Sequence, residues 1–225
     1  MNQDSNMRDK GKGKGKSTAS NRLPAGQDVA GQDVAGTQMI ADQALAGQLL
    51  VAMPGTPGPD FEQSVILVCA HTAEGAMGLV INHPLEQPDF ADLLRQLNVE
   101  PQPPARALRL VSGGPVDHDR GFVLHSKDWV GEGSVHVDQS LALTASLDIL
   151  QELAHGRGPA EAVLALGYAG WGPGQLDQEL QNNYWLVAPA SKDILFDTAD
   201  RTKWRRALAA LKVDPALLSA QGGQA

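Results

Sequence analysis

The sequence predicts an α+β fold built as a single domain. Two apolar runs, 64–70 and 76–82, are separated by only five residues, which predicts a hairpin of two buried strands. Elsewhere, segments with helical spacing and strand-like runs follow one another without a strict βαβ order, so hairpins and crossovers are mixed. A chain of 225 residues with 42% hydrophobic content can bury the core that such a domain needs.

The predicted elements follow from local patterns along the chain. The segment 38–46 is expected to form one or two helical turns before a strand at 48–53, and the glycine- and proline-rich loop 54–59 ends that strand. Apolar residues recur at helical spacing in three longer segments, which predicts helices at 89–97, 140–154 and 200–211. Short apolar runs predict further strands at 106–111, 121–126, 134–138, 161–168 and 185–189.

The first 38 residues are predicted to form a disordered tail and linker, because the lysine–glycine alternation at 10–16 offers no apolar side chain to bury. Residues 1–22 carry six basic and two acidic side chains, so the tail has a charge of +4 and the remainder −12 of the total −8. We expect the tail to be a solubilising extension, with a weak contact to nucleic acid or an anionic surface as the alternative. The folded domain is predicted at 39–215, followed by a flexible tail at 216–225.

Composition also limits the partners and the compartment. The acidic body repels a phosphate backbone, so specific DNA binding is not expected. No run approaches the roughly 20 apolar residues of a membrane span, and the N-terminus lacks the apolar core of a secretory signal, which predicts a cytoplasmic protein without membrane contact. A single cysteine excludes an intrachain disulfide and a multi-cysteine zinc site, and we expect no metal and no cofactor.

The segment 166–185 is the most informative part of the chain. Its glycines at 167, 170, 172 and 174 predict a sharp backbone turn, because glycine accepts a positive φ without steric cost. In the short helix that follows, Gln175, Glu179 and Asn183 lie four apart on one ridge. The candidate residues for a small-molecule or peptide pocket are Arg120, Tyr168, Trp171, Gln175, Glu179 and Asn183. Alternatively, these polar groups satisfy buried backbone groups and stabilise the sheet.

Several blocks occur in the same order as in the AlgH/YqgE family of bacterial proteins, which the chain resembles over about residues 45–215. They are Leu-Val-Ala-Met-Pro at 50–54, the runs 61–71, 75–82, 113–116 and 120–125, and the glycine-rich segment. The resemblance implies a mixed, strongly bent sheet with flanking helices, and it implies a regulator of gene expression. Because the acidic chain has no recognisable helix-turn-helix, we expect any regulation to be indirect, through an unknown protein or small-molecule partner.

Cys69 and His71 form a second candidate site. Residues two apart on a strand share a face, and a nearby imidazolium lowers the pKa of a thiol. This pair is the candidate catalytic group of a thiol-dependent redox protein or enzyme. The alternative is that Cys69 is a small buried apolar residue and that His71 merely begins a turn. An enzyme with an unrecognised site is a further possibility, and the sequence leaves open whether the protein is an enzyme.

Overall fold

A computed structural model describes residues 45–100 and 108–218, and a curled sheet forms the centre of that region. The predicted tail at 1–38, most of the predicted helical turns at 38–46, and the residues after 218 lie outside the described residues. The strands are Gln48–Ala52 (β1), Val65–Thr72 (β2), Gly75–Val80 (β3), Arg109–Ser112 (β4), Val116–Ser126 (β5), Ser134–His136 (β6), Leu141–Thr144 (β7), Ala162–Trp171 (β8) and Trp185–Pro189 (β9). The α-helices are Phe90–Gln96 (α1), Leu147–Ala154 (α2), Gln175–Gln181 (α3), Lys192–Phe196 (α4) and Asp200–Ala210 (α5).

The strands have the order β6-β7-β5-β8-β3-β2-β1-β9, and β4 lies beside β8. Only the β4–β8 pair is parallel among the described strands; the others are antiparallel. After β3 the chain leaves β8 and follows β4, because the Val80 N–H donates to the Gly113 carbonyl and the Ser112 N–H to the His83 carbonyl, each at 2.8 Å. The sheet therefore curls into a half-barrel with flanking helices, which confirms the predicted α+β class and bent sheet.

Three apolar clusters hold the helices against the two faces of the sheet. The largest fills the concave face, where Trp204 and Leu208 of α5 and Leu195 of α4 pack on the strands. On the convex face, α1 and α2 pack over one end of the sheet. Leu176 of α3 and the indoles of Trp171 and Trp185 cover the other end.

The predicted helix at 140–154 is wrong in its first half. Residues 141–144 form strand β7, which lies between β5 and β6 and is buried along its whole length. Ser146 has an extended backbone conformation and begins α2 as its N-cap. The helical spacing of Leu143, Leu147 and Leu150 does not mark one buried face, because Leu143 packs in the largest cluster, Leu147 is 42% exposed and Leu150 packs with α1 in a different cluster.

Other boundaries differ more mildly. Strand β5 begins at Val116 rather than 121, and β8 continues to Trp171, so two of the four glycines in the glycine-rich segment lie inside a strand. Helix α4 was not predicted, because five residues are too few to show a helical period.

A close backbone crossing explains the glycines at 113 and 114. A Cβ atom at Gly113 would lie 2.2 Å from the carbonyl oxygen of Gly167, and one at Gly114 would lie 2.3 Å from the carbonyl carbon of Tyr168. Gly114 and Gly167 also have φ values of 147° and 74°. Only glycine fits such contacts, so this segment joins β4 to β5 across β8.

Candidate functional site

The polar groups after the glycine turn bind one another. The Glu179 carboxylate accepts hydrogen bonds from the indole N–H groups of Trp171 and Trp185 and from the Gln175 amide, each at 2.8 Å. The two indoles meet edge to face at 6.1 Å between ring centroids. Because the carboxylate holds the end of β8, the start of β9 and α3 together, its contacts support the structural alternative for this segment.

Asn183 caps the end of α3. Its N–H donates to the Leu180 carbonyl, and the Tyr184 N–H donates to the Glu179 carbonyl, both at 3.0 Å. With a φ of 57° at Asn183, this is a Schellman motif in which asparagine replaces the usual glycine. Asn183 is exposed at the end of the helix.

Tyr168 and Arg120 lie on the other face of the sheet. The Tyr168 ring packs edge to face on Phe122 at 5.8 Å, and the Arg120 guanidinium lies 5.0 Å from the centre of the same ring. Tyr168 and Trp171 lie three residues apart on β8, so Tyr168 faces the concave cluster while Trp171 faces α3. The structure therefore divides the six candidate binding residues into separate groups instead of gathering them around one pocket.

The expected Cys69–His71 pair does not form. The register between β2 and β3 shifts between Val68 and Ala70, so Cys69 occupies a β-bulge. Cys69 packs in the concave cluster, whereas His71 pairs with Ala76 of the opposite cluster and places its Nε2 3.7 Å from the Asp177 carboxylate of α3. The bulge thus puts the two side chains on opposite faces, and the prediction of a shared face is wrong.

The environment of Cys69 opposes thiol chemistry. Burial raises the pKa of the Cys69 thiol to about 12, and Sγ lies 3.7 Å from the Leu67 carbonyl oxygen. A neutral buried thiol is a poor nucleophile, because the thiolate is the reactive form. This supports the alternative interpretation of Cys69 as an apolar core residue.

Sequence reasoning missed a buried charged cluster between β4 and α5. The Arg109 guanidinium donates to the Asp200 carboxylate, and Lys203 Nζ lies 3.0 Å from the same carboxylate oxygen. Both cations also donate to the carbonyls of Ile81 and Leu195. Burial and the nearby Arg109 charge lower the pKa of Lys203 to about 8. The available signal was an Asp and a Lys three residues apart at the start of a predicted helix, and this spacing is equally common for an exposed ion pair.

A second missed feature is the loop between β1 and β2. The sequence predicted it only as the segment that ends the first strand. Thr56 Oγ1 lies 2.8 and 2.6 Å from the carbonyl oxygens of Met53 and Tyr184, and its one hydroxyl proton can be donated to either. The Asn82 side chain accepts from the Val65 N–H at 2.7 Å and donates to the Gln63 carbonyl at 2.9 Å. These bonds fix a segment that has only the short 3-10 helix Pro59–Phe61 as regular structure.

A cavity of about 480 Å³ lies beside this loop. Its walls are mainly residues of this loop, and Trp204 of α5 closes one side while its indole N–H donates to the Ala52 carbonyl at 2.8 Å. Glu62 is an exposed residue of the cavity wall, and its carboxylate makes no hydrogen bond or ion pair with any residue that the structure describes. Three of the sequence blocks that carry the family resemblance, 50–54, 61–71 and 75–82, contribute to the cavity or to the bonds around it.

Within the described residues 45–100 and 108–218, no group of three or more His, Cys, Asp or Glu side chains lies close enough together to bind one metal ion. Helices in the same ranges are too short or too polar to cross a membrane.

Comparison with known proteins places this fold in a family. A family model described as AlgH-like matches residues 49–216. The chain belongs to the AlgH-like family. A UPF0301 protein of Gluconobacter oxydans is 54% identical over 179 residues, covering 79% of this chain and 96% of that protein. A UPF0301 protein of Rhodospirillum rubrum is 52% identical over 176 residues, covering 78% and 92%.

Solved structures agree with this assignment. The solution structure of the AlgH protein from Pseudomonas aeruginosa matches with a TM-score of 0.66 and 42% identity, covering 80% of this AlgH-like chain and 96% of that one. A crystal structure of a protein from Corynebacterium diphtheriae matches with a TM-score of 0.57 at 23% identity, covering 76% and 93%, and shows the shared fold alone.

Proposed function

We propose that this AlgH-like protein is an indirect regulator that binds a small organic cation in the cavity beside the 53–63 loop. The observation that carries the proposal is a ligand-sized cavity whose wall is fixed by hydrogen bonds from the side chains of Thr56 and Asn82. Its volume of about 480 Å³ falls within the range of about 300–1,000 Å³ that is typical of small-molecule sites.

The ordered conformation of the 53–63 loop supports a binding site rather than an incidental surface cavity. Gly55, Gly58 and Gln63 have φ values of 96°, 93° and 53°, and the bonds from Thr56 and Asn82 hold the loop between them. A loop that is already ordered avoids much of the ordering cost on binding, about 0.5–1.5 kcal/mol for each immobilised side chain.

The charge of the site supports a cationic ligand. Glu62 presents a carboxylate without a partner among the described residues, and Trp204 adds an indole. A protonated amine can pair with the carboxylate while its apolar part contacts the indole. Thiol chemistry plays no part in this proposal, because Cys69 is buried with a raised pKa.

Binding can be tested by NMR with single fragments. Tryptamine and agmatine supply protonated amines, and indole-3-propionate is a charge-reversed match for the first. We expect the two amines to shift the backbone amides of Gly55 and Gly58 and the indole N–H of Trp204, and we expect the carboxylate to leave them in place.

The variant Glu62→Gln should remove these shifts, whereas Glu132→Gln, which changes an exposed glutamate elsewhere, should retain them. Equal shifts in both variants, or no shift with either amine, would refute a cation site in this cavity.

A further inference from the structure

An apolar groove lies between α1 and α2 on the convex face of the sheet, away from the loop cavity. Leu93 and Leu97 form one wall and Leu147 and Leu150 the other. The floor consists of Val123, Leu164 and Leu166 from the central strands β5 and β8. Leu97 and Leu147 are 37% and 42% exposed, so the two helices leave part of the sheet uncovered.

The groove suits the side chains of a helix better than a free ligand or an added strand. Its volume of about 220 Å³ is below the range of about 300–1,000 Å³ usual for small-molecule pockets. Strand addition requires a sheet edge, and β5 and β8 are interior strands, whereas the ends of the strand order are β6 and β9. A row of large apolar side chains on one face of an incoming helix can enter such a groove.

The charges around the groove select the partner. Asp119 lines its mouth, and Asp148 lies exposed in the first turn of α2 next to Leu147. Neither carboxylate forms an ion pair with a residue in the described ranges. The nearby cations Arg95 and Arg157 are already paired with Asp92 and Glu152. The rim is therefore acidic, and it attracts basic side chains that flank an apolar row.

Ser146 also lines the groove, and its buried Oγ has no hydrogen-bond partner among the described residues. A second copy of this chain fits less well, because it would bring a net charge of −8 against an acidic rim.

We propose that the α1–α2 groove binds a basic amphipathic helix of a partner protein. Leucine-sized side chains of that helix contact Leu97, Leu147 and Leu150, and its lysines or arginines face Asp119 and Asp148. This surface is separate from the loop cavity, so the proposal does not depend on the small-molecule site.

The probe is a fluorescein-labelled peptide of about 18 residues with leucine at positions i, i+3, i+4 and i+7 and lysine elsewhere. Two matched peptides carry glutamate in place of lysine, or the same composition with the leucine row broken. Fluorescence anisotropy against the full chain at about 150 mM salt measures binding. We expect the leucine–lysine helix to bind at least about tenfold more tightly than either matched peptide.

The variant Leu147→Asp separates groove binding from simple charge attraction, because it removes an apolar wall and adds a negative charge. An aspartate in the first turn of a helix also suits α2, and circular dichroism can check that the variant folds. We expect affinity to fall at least about fivefold, whereas Leu217→Asp, the same change at a leucine 82% exposed outside the groove, should leave it within about twofold.

Tighter or unchanged binding by Leu147→Asp, or equal binding of the peptide with the broken leucine row, would overturn the proposal. Sedimentation of the protein alone tests the other occupant. A dimer that Leu147→Asp dissociates would assign the groove to a second copy of the chain and would equally overturn it.

Discussion

A single inserted residue determines the chemistry of β2. Regular alternation would place Cys69 and His71 side by side. Cys69 keeps the face of Val65 and Leu67 in the concave core, but the bulge after Val68 turns the His71 imidazole to the opposite face, towards Asp177. Period-2 reasoning is reliable for a strand only while its register holds. The bulge leaves no glycine or proline signal in the run Val-Cys-Ala-His, so the sequence could not reveal it.

The Cys69 thiol should resist alkylation in the folded protein. Because burial raises its pKa to about 12, the thiolate is scarce from pH 7 to 9. We expect iodoacetamide to label Cys69 only after unfolding in urea, and we expect His71→Ala to leave the native labelling rate unchanged. An apparent pKa near or below the free value of about 8.5 that rises in His71→Ala would restore the reactive pair.

At the scale of elements, the chain is easiest to predict where one element buries one regular pattern. The β2–β3 hairpin, α1, β9 and α5 occur within a few residues of their predicted positions. Prediction fails where one apolar pattern spans two elements, as in β7 and α2. It also fails where side chains form contacts between residues far apart in the sequence. The loop cavity depends on Asn82 and Trp204, which are distant in sequence from the 53–63 loop. No local pattern can predict such contacts.

The attachment of α5 to β4 depends on one carboxylate shared by two cations. In Asp200→Asn, Arg109 and Lys203 remain buried without a counter-charge, and we expect a loss of about 3–5 kcal/mol in the free energy of unfolding. In Lys203→Met, a one-to-one Arg109–Asp200 pair remains and the methionine fills similar space, so the change should be within about 1.5 kcal/mol. Urea denaturation of the two variants gives the comparison.

The same cluster gives a pH signature. The folded pKa of Lys203, about 8, lies below the unfolded value of about 10.4. Between these values the unfolded state binds more protons, so the stability of the native sequence relative to Lys203→Met should rise with increasing pH. A stability difference that stays flat from pH 7 to 10, or an Asp200→Asn variant as stable as Lys203→Met, would contradict this account.

At the scale of the whole molecule, charge sets the class of partner. Residues after 22 carry a net charge of −12, and the basic segment 1–22 supplies only +4. Counterion release from DNA requires several cations held against phosphates, and an acidic body opposes that contact. A ligand or a protein partner therefore fits this charge balance better than duplex DNA does.

We therefore expect no specific binding to duplex DNA at about 150 mM salt. Labelled promoter fragments titrated against random duplex of equal length provide the measurement, and a repeat at lower salt should show only weak, sequence-independent binding. A preference of about a hundredfold or more for one sequence would disprove this expectation.

The position of β1 between β2 and β9 has a consequence for synthesis on the ribosome. Because Leu49 of β1 pairs with Ala188 of β9, β1 cannot complete its pairing until β9 has been synthesised. At about 5–20 residues per second, that interval is on the order of ten seconds. During this interval, β1 can pair with the β2–β3 hairpin, but the edge of β1 that later pairs with β9 stays open. An open apolar strand edge attracts other chains. Newly made protein therefore has a period in which it depends on chaperones or on low concentration, and this period ends only when β9 emerges.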